Sequence, residues 1–157
     1  MNYFLLSAIG ISIMTTAVVY GTDFFCALVL RTALARIDDR ALTAATGRIH
    51  EVADKRMPIP GAVGVVAAVV AAGAAFLDGK AAAGILTAAA VLALAIWLGI
   101  YARVSAPVNK ELTAAVLADR VPVDVRDMQR TWDSVIVVRV ILQGIALVAL
   151  FLAALSV

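Results

Sequence analysis

Four long segments with very few charged residues dominate this sequence. They cover about residues 3–34, 60–77, 82–102 and 132–157. An α-helix needs about 20 mainly apolar residues to cross a bilayer, because each residue advances the helix by about 1.5 Å. The chain is 64% hydrophobic and 15% charged, whereas soluble domains are about 45–50% apolar and about 25% charged. The pattern predicts one all-α domain over residues 1–157, an integral membrane four-helix bundle.

The connections between these segments predict the remaining elements. Residues 38–57 are charged and amphipathic, which predicts a short surface helix in the first long connection. The second connection, Asp78-Gly79-Lys80, is short enough to be a tight turn. In the third connection, Pro107 and Pro122 bracket a second short helix, expected from Asn109 to Arg120.

Basic residues are distributed unevenly among the connections. The second connection has only Lys80, and the two termini have no Lys or Arg. The first connection and its edge carry Arg31, Arg36, Arg40, Arg48, Lys55 and Arg56, and the third carries Arg103, Lys110, Arg120, Arg126 and Arg130. The positive-inside rule therefore predicts a multi-pass protein of the cell membrane with both termini outside and both long connections in the cytoplasm. A net charge of +2 without a basic run gives no reason to expect nucleic acid as a partner.

Two opposite charges lie within the predicted spans. Asp23 is flanked by apolar residues late in the first span, and Arg139 lies about two turns into the fourth. By the predicted topology both lie at a similar depth from the cytoplasmic side. Because an isolated charge in the hydrocarbon is costly, we expect Asp23 and Arg139 to pair inside the bundle. The alternatives are that Asp23 lies at headgroup level and that Arg139 snorkels to the interface.

His50 is the only histidine, and Asp54 follows it at the i,i+4 spacing that places both side chains on one helix face. One hypothesis is a metal ion held by His50, Asp54 and Asp23, although one histidine with carboxylates is a weak signal. Another is a titrating acid or base with Asp54 orienting the imidazole. A third is an interfacial histidine on a solvated helix. The cofactor alternatives are therefore a metal ion and no cofactor.

Other polar residues occur near the ends of the spans. Asn109 follows the third span, where capping of the next helix is the default expectation. Trp132 suits an interfacial anchor, as do Trp97 and Tyr101 near the end of the third span. Gln143 lies one turn past Arg139 and is expected to hydrogen-bond within the bundle. The single Cys26 lies in an apolar run, which favours a buried structural thiol.

Short motifs occur in a characteristic order along nearly the whole chain. They are Gly21-Thr22-Asp23-Phe24-Phe25, then His50 to Pro58 before the second span, then Pro107-Val108-Asn109, and finally Trp132 with Arg139. This combination resembles the anthrone oxygenase-like family, small four-helix membrane proteins that mostly have no assigned function. The few characterised members are associated with oxygenation of polycyclic anthrones to anthraquinones. The resemblance implies that His50, Asp54, Asn109, Trp132 and Arg139 act as a set.

The leading hypothesis is an oxidoreductase or oxygenase that takes a lipophilic aromatic substrate from the bilayer. In it His50, Asp54, Asn109 and Arg139 are catalytic, and Asp23, Trp132 and Gln143 form the pocket. His50 removes a proton, while Asn109 and Arg139 hold a substrate oxygen. The alternative is a non-catalytic accessory subunit or a homo-oligomeric component of a larger membrane complex, which the many small residues would help to pack. A proton-coupled carrier using Asp23 ranks last, because four spans without an inverted repeat would have to oligomerise.

Overall fold

The computed structural model describes residues 2–157, and helices dominate this range. The described elements are α1 (Tyr3–Phe25), a π-helical turn (Cys26–Leu30), α2 (Arg31–Leu34), α3 (Asp39–Arg56), α4 (Pro58–Leu77), α5 (Ala81–Ile100), a second π-helical turn (Tyr101–Ser105), α6 (Ala106–Leu117) and α7 (Val125–Leu155). A π-helical turn contains i→i+5 hydrogen bonds and is therefore wider than an α-helical turn. Both π-helical turns continue the helix on either side.

Four continuous helical stretches are long and apolar enough to cross a membrane. They are Tyr3–Leu34, Pro58–Leu77, Ala81–Leu117 and Val125–Leu155. They confirm the four spans predicted from sequence and point to a multi-pass membrane protein. A lipid environment explains why large apolar side chains, such as Leu77 and Leu155, remain exposed on the outer faces of these helices.

Two predicted boundaries are wrong. The third span does not end near residue 102 but continues through the second π-helical turn into α6. Pro107 lies directly after the wider turn and does not end the helix. Asn109 consequently lies inside α6 and does not cap it. The fourth helix begins at Val125, well before Trp132.

The four long helices pack in a ring, in which α4 and α7 each contact both α1 and α5. Alanine supplies most of the buried core between them, together with a few larger residues such as Leu5, Ile9 and Leu150. Small side chains allow helix backbones to approach closely. One such approach is marked by the Ser12 hydroxyl, which donates a hydrogen bond of 2.9 Å to the carbonyl of Gly64.

The two ends of the ring differ in composition. At one end, the Asn2 side chain bonds to Asp78, and the Lys80 ammonium donates to the Val157 carbonyl at 2.7 Å. At the opposite end, α3 packs against α6, and the guanidinium of Arg126 pairs with Asp39 of α3 at 2.6 Å. We call this second end the α3–α6 end. It contains the two long connections that carry most of the basic residues.

Candidate functional site

A cavity of about 400 Å³ opens at the α3–α6 end of the protein. Residues of α1, α3, α4, α5, α6 and α7 border it, and its surface is predominantly apolar. The polar part of the wall is made by Asp23, His50, Asp54, Tyr101, Asn109 and Arg139. A mostly apolar pocket with a few convergent polar groups is the usual form of a small-molecule site.

Asp23 lies at the centre of a buried hydrogen-bonded cluster and is only 4% exposed. Its Oδ1 accepts a hydrogen bond from Nη2 of Arg139 at 2.9 Å. Its Oδ2 accepts from Nε2 of Gln143 at 2.6 Å and from Nε1 of Trp97 at 3.4 Å. The structure thus contains the expected pair of Asp23 with Arg139 and the expected hydrogen bond of Gln143. Trp97 is not an interfacial anchor, because it is buried and bound to Asp23.

Arg139 is fixed by more than its ion pair. Its Nη1 donates a hydrogen bond of 2.7 Å to the hydroxyl of Ser105. Its guanidinium carbon lies 5.4 Å from the ring centre of Tyr101 and 5.7 Å from that of Trp132. Both distances are within the range of a cation–π interaction. Each terminal nitrogen of the guanidinium therefore bonds to a protein group, and two aromatic rings lie beside it.

A second cluster is centred on Asp54 of α3. Its Oδ1 accepts hydrogen bonds from the Tyr101 hydroxyl at 3.1 Å and from Nδ2 of Asn109 at 2.9 Å. Oδ1 of Asn109 in turn accepts from Nε1 of Trp132 at 3.0 Å. These bonds explain why Asn109 does not serve as a cap and why Trp132 is buried instead of anchored at an interface. They join α3, α6 and α7 beside the cavity.

His50 borders the cavity one helical turn from Asp54. The centre of its ring lies 6.0 Å from that of Trp132. Burial lowers the pKa of His50 to about 4, Asp54 opposes this shift, and the positive charge of Arg139 adds to it. The imidazole is therefore neutral at neutral pH, with one ring nitrogen available as a donor and the other as an acceptor.

The titration of His50 tests this environment directly. We expect its midpoint near pH 4 instead of the ordinary 6.5. Replacing Asp54 with asparagine should lower the midpoint further, because the carboxylate that favours the imidazolium is removed. His50 is the only histidine, so its ring signals can be followed without assignment by NMR of histidine-labelled protein. A wild-type midpoint at 6.5 would contradict the buried position of the ring.

The unfolded chain takes up the proton at the ordinary pKa, and the folded chain only near 4. His50 therefore lowers the folding stability as the pH falls from about 6.5 toward 4, and has no such effect above that range.

Asp119→Asn serves as the control for the Asp54 variant, because Asp119 is exposed and bonds to Arg40 away from the cavity. It should leave the midpoint of His50 unchanged.

Two members of the site, Tyr101 and Ser105, begin and end the second π-helical turn, and Asp23 lies a few residues before the first. Such turns occur frequently at functional sites. Trp97, Tyr101 and Ser105 were not among the site residues predicted from the sequence. The i,i+4 spacing of Trp97 and Tyr101, which places both on one helix face, was a signal that could have identified two of them.

His50, Asp54 and Asp23, the residues of the metal hypothesis, do not form a metal-binding group. Among residues 2–157, no group of three or more His, Cys, Asp and Glu side chains is placed to hold a metal ion. Asp23 is instead bound by Arg139, Gln143 and Trp97. Cys26 is also not the fully buried thiol expected, because it is partly exposed and borders the cavity.

The fold and the site define a multi-pass membrane protein. At one end of its long helices it has a mostly apolar cavity with several polar side chains in its wall. Comparison of the chain with models of protein families, with curated proteins and with solved structures finds no match.

Proposed function

We propose that this protein binds a lipophilic aromatic molecule in the cavity and catalyses its oxygenation. The observation that carries the proposal is the cavity itself, in which apolar walls enclose hydrogen-bonded side chains from several helices. A flat aromatic molecule would pack its apolar faces against the walls and direct one polar edge toward α3. The resemblance to anthrone oxygenase-like proteins agrees with this class of ligand.

The walls favour a ligand that arrives from the lipid phase. Val66 of α4 and Leu98 of α5 border the cavity and are 61% and 46% exposed. Both belong to helices long and apolar enough to span a membrane. The cavity wall is therefore continuous with the lipid-facing surface, where an apolar compound is concentrated.

The chemistry we propose begins with the neutral imidazole of His50. It removes a proton from a methylene group that two flanking aromatic rings, and a carbonyl conjugated through them, make acidic. Asp54, one turn away, stabilises the resulting imidazolium. Dioxygen then adds to the carbanion, protonation gives a hydroperoxide, and loss of water leaves a carbonyl group. The sum is R₂CH₂ + O₂ → R₂C=O + H₂O, so oxygen is the oxidant and no reductant is consumed.

The other polar residues have supporting roles in this proposal. The sequence-based hypothesis gives Asn109 and Arg139 the task of holding a substrate oxygen. In the structure the amide of Asn109 is bound to Asp54 and Trp132, and the terminal nitrogens of Arg139 are bound to Asp23 and Ser105. We therefore assign them a positioning role, in which they hold the α3, α6 and α7 walls together.

The arrangement also supports the proposed orientation in a cell membrane. The two connections rich in Lys and Arg meet at the α3–α6 end, whereas Lys80 lies at the opposite end. By the positive-inside rule the α3–α6 end faces the cytoplasm and both termini lie outside.

A cavity-filling variant tests the proposal. Gly61 borders the cavity, and a Cβ added there would meet Trp97 at an ordinary contact distance of 3.5 Å. Gly61→Phe should therefore fold while its ring occupies the space of the substrate. With anthrone in lipid nanodiscs, we expect oxygen uptake and anthraquinone formation to fall by about 100-fold, the scale associated with a misplaced substrate.

Gly73→Phe is the matched control on the same helix, because a Cβ at Gly73 meets nothing within 4 Å. It should oxidise anthrone at the wild-type rate. Empty nanodiscs give the uncatalysed rate of anthrone oxidation. Wild-type protein that does not exceed this rate, or a Gly61→Phe variant that equals the wild type, would refute the oxygenase proposal.

A further inference from the structure

Asp54, which borders the cavity, has one carboxylate oxygen without a protein partner. Oδ1 of Asp54 accepts two hydrogen bonds, from Tyr101 and Asn109, while no bond to Oδ2 occurs among residues 2–157. Asp54 forms no ion pair with a described Lys, Arg or His, so its charge is not compensated by a cation. Oδ2 is also not among the buried atoms that lack a partner, and is thus accessible.

Arg139, the positively charged residue beside the cavity, differs from Asp54 because its terminal nitrogens are already bound to protein groups. The Nη atoms of Arg139 bind Asp23 and Ser105, and its Nε is buried out of reach without a hydrogen-bond partner. Asp23 and Arg139 together are electrically neutral. Among the polar groups that border the cavity, Oδ2 of Asp54 and the ring nitrogens of His50 are therefore the nitrogen and oxygen atoms that have no protein hydrogen bond and are not buried.

These unpaired atoms of Asp54 and His50 determine which polar group of a ligand can bind here. We infer that the preferred ligand carries, besides any reacting group, a neutral hydroxyl group that donates a hydrogen bond to Oδ2 of Asp54 and accepts one from the imidazole of His50. A hydroxyl is both a donor and an acceptor, and i,i+4 side chains are close enough on a helix to share it. An anionic ligand is disfavoured, because it would meet an uncompensated carboxylate in an apolar cavity.

Asp54 is then the residue that determines specificity, and Tyr101 and Asn109 are positioning residues. Their bonds to Oδ1 fix the carboxylate with Oδ2 free toward the ligand. The inference rests on the proposed function only in that both place an aromatic molecule in this cavity. It adds the chemical group by which that molecule is selected.

Three naphthalene probes test the inference in nanodiscs. They are 2-naphthol with a hydroxyl donor, 2-methoxynaphthalene without one, and 2-naphthoate with a negative charge. The only two tryptophans, Trp97 and Trp132, both border the cavity. Saturable quenching of tryptophan fluorescence therefore reports on this cavity, and empty nanodiscs correct for partition of the probes into lipid.

For the wild type we expect 2-naphthol to bind about tenfold or more tightly than 2-methoxynaphthalene, as one hydrogen bond to a charged group allows. We expect no saturable binding of 2-naphthoate. In Asp54→Asn, whose Oδ1 still accepts from Tyr101 and Asn109, the preference for 2-naphthol should fall to about threefold or less. Asp119→Asn should retain the full preference, because that carboxylate is exposed.

The outcomes separate the two proposals. Equal binding of 2-naphthol and 2-methoxynaphthalene by the wild type, or saturable binding of 2-naphthoate, would overturn the inference and leave aromatic binding by the cavity intact. An undiminished preference in Asp54→Asn would also overturn it. Quenching by none of the three probes would refute the proposed function and this inference together. The wild-type comparisons remain decisive if the Asp54 variant does not fold.

Discussion

Replacing Arg139 with methionine is expected to lower the free energy of unfolding by about 3–5 kcal/mol, the usual cost of removing one partner from a buried ion pair. Methionine keeps most of the length of the side chain and its packing beside Tyr101 and Trp132. The Asp23 carboxylate then remains buried with only the neutral donors Gln143 and Trp97. Such a charge has neither water nor a cation to stabilise it.

The measurement is the folded fraction of detergent-solubilised protein against the mole fraction of SDS, followed by circular dichroism. The double variant Asp23→Asn with Arg139→Met should recover a large part of the lost stability, since neutral groups replace both charges. Arg40→Met is the control, because its pair with Asp119 is exposed and such pairs contribute about 1 kcal/mol or less. An Arg139 variant as stable as the Arg40 variant would show that the pair does not hold the helices together.

Replacing His50 with glutamine is expected to reduce anthrone turnover by about 10²–10⁴-fold, the contribution typical of a general base. Glutamine keeps a polar side chain in the cavity but cannot take up the proton. Because His50 makes no side-chain hydrogen bond with another described residue, the fold should be unaffected. The wild type and the variant are compared by initial rates of oxygen uptake in nanodiscs.

Binding and catalysis are separated in the same preparation. His50→Gln should still show saturable quenching of tryptophan fluorescence by 2-naphthol, because Asp54 and the apolar walls remain. Val52→Gln places the same side chain at an exposed position of α3 that does not border the cavity, and should retain turnover. Full activity in His50→Gln would remove this residue from the reaction, whereas loss of both binding and activity would indicate a role in forming the cavity.

The sequence predicted the features that depend on depth in the membrane. The number of spans follows from the length of apolar segments, and the pairing of Asp23 with Arg139 follows from opposite charge at similar depth. A charge in a spanning segment has so few possible partners that two residues more than 100 positions apart could be matched.

Other features could not be predicted because they depend on local packing. Pro107 suggested the end of a helix, but the turn before it widens and the helix continues to Leu117. Trp97 and Tyr101 match interfacial aromatic residues in composition and position. Only the packed helices show that Trp97 bonds to Asp23 of α1 and Tyr101 to Asp54 of α3 instead.

The spacing of the site residues gives the second π-helical turn a definite role. Trp97, Tyr101, Ser105 and Asn109 follow each other at intervals of four. In an uninterrupted α-helix each such step advances about 40° beyond a full turn, so the last side chain would point about a third of a turn away from the first. The wider turn winds more slowly and offsets part of this drift. A four-residue repeat, which would otherwise spiral around the helix, can thus supply Trp97, Tyr101 and Asn109 to one cavity and Ser105 to the Arg139 guanidinium beside it.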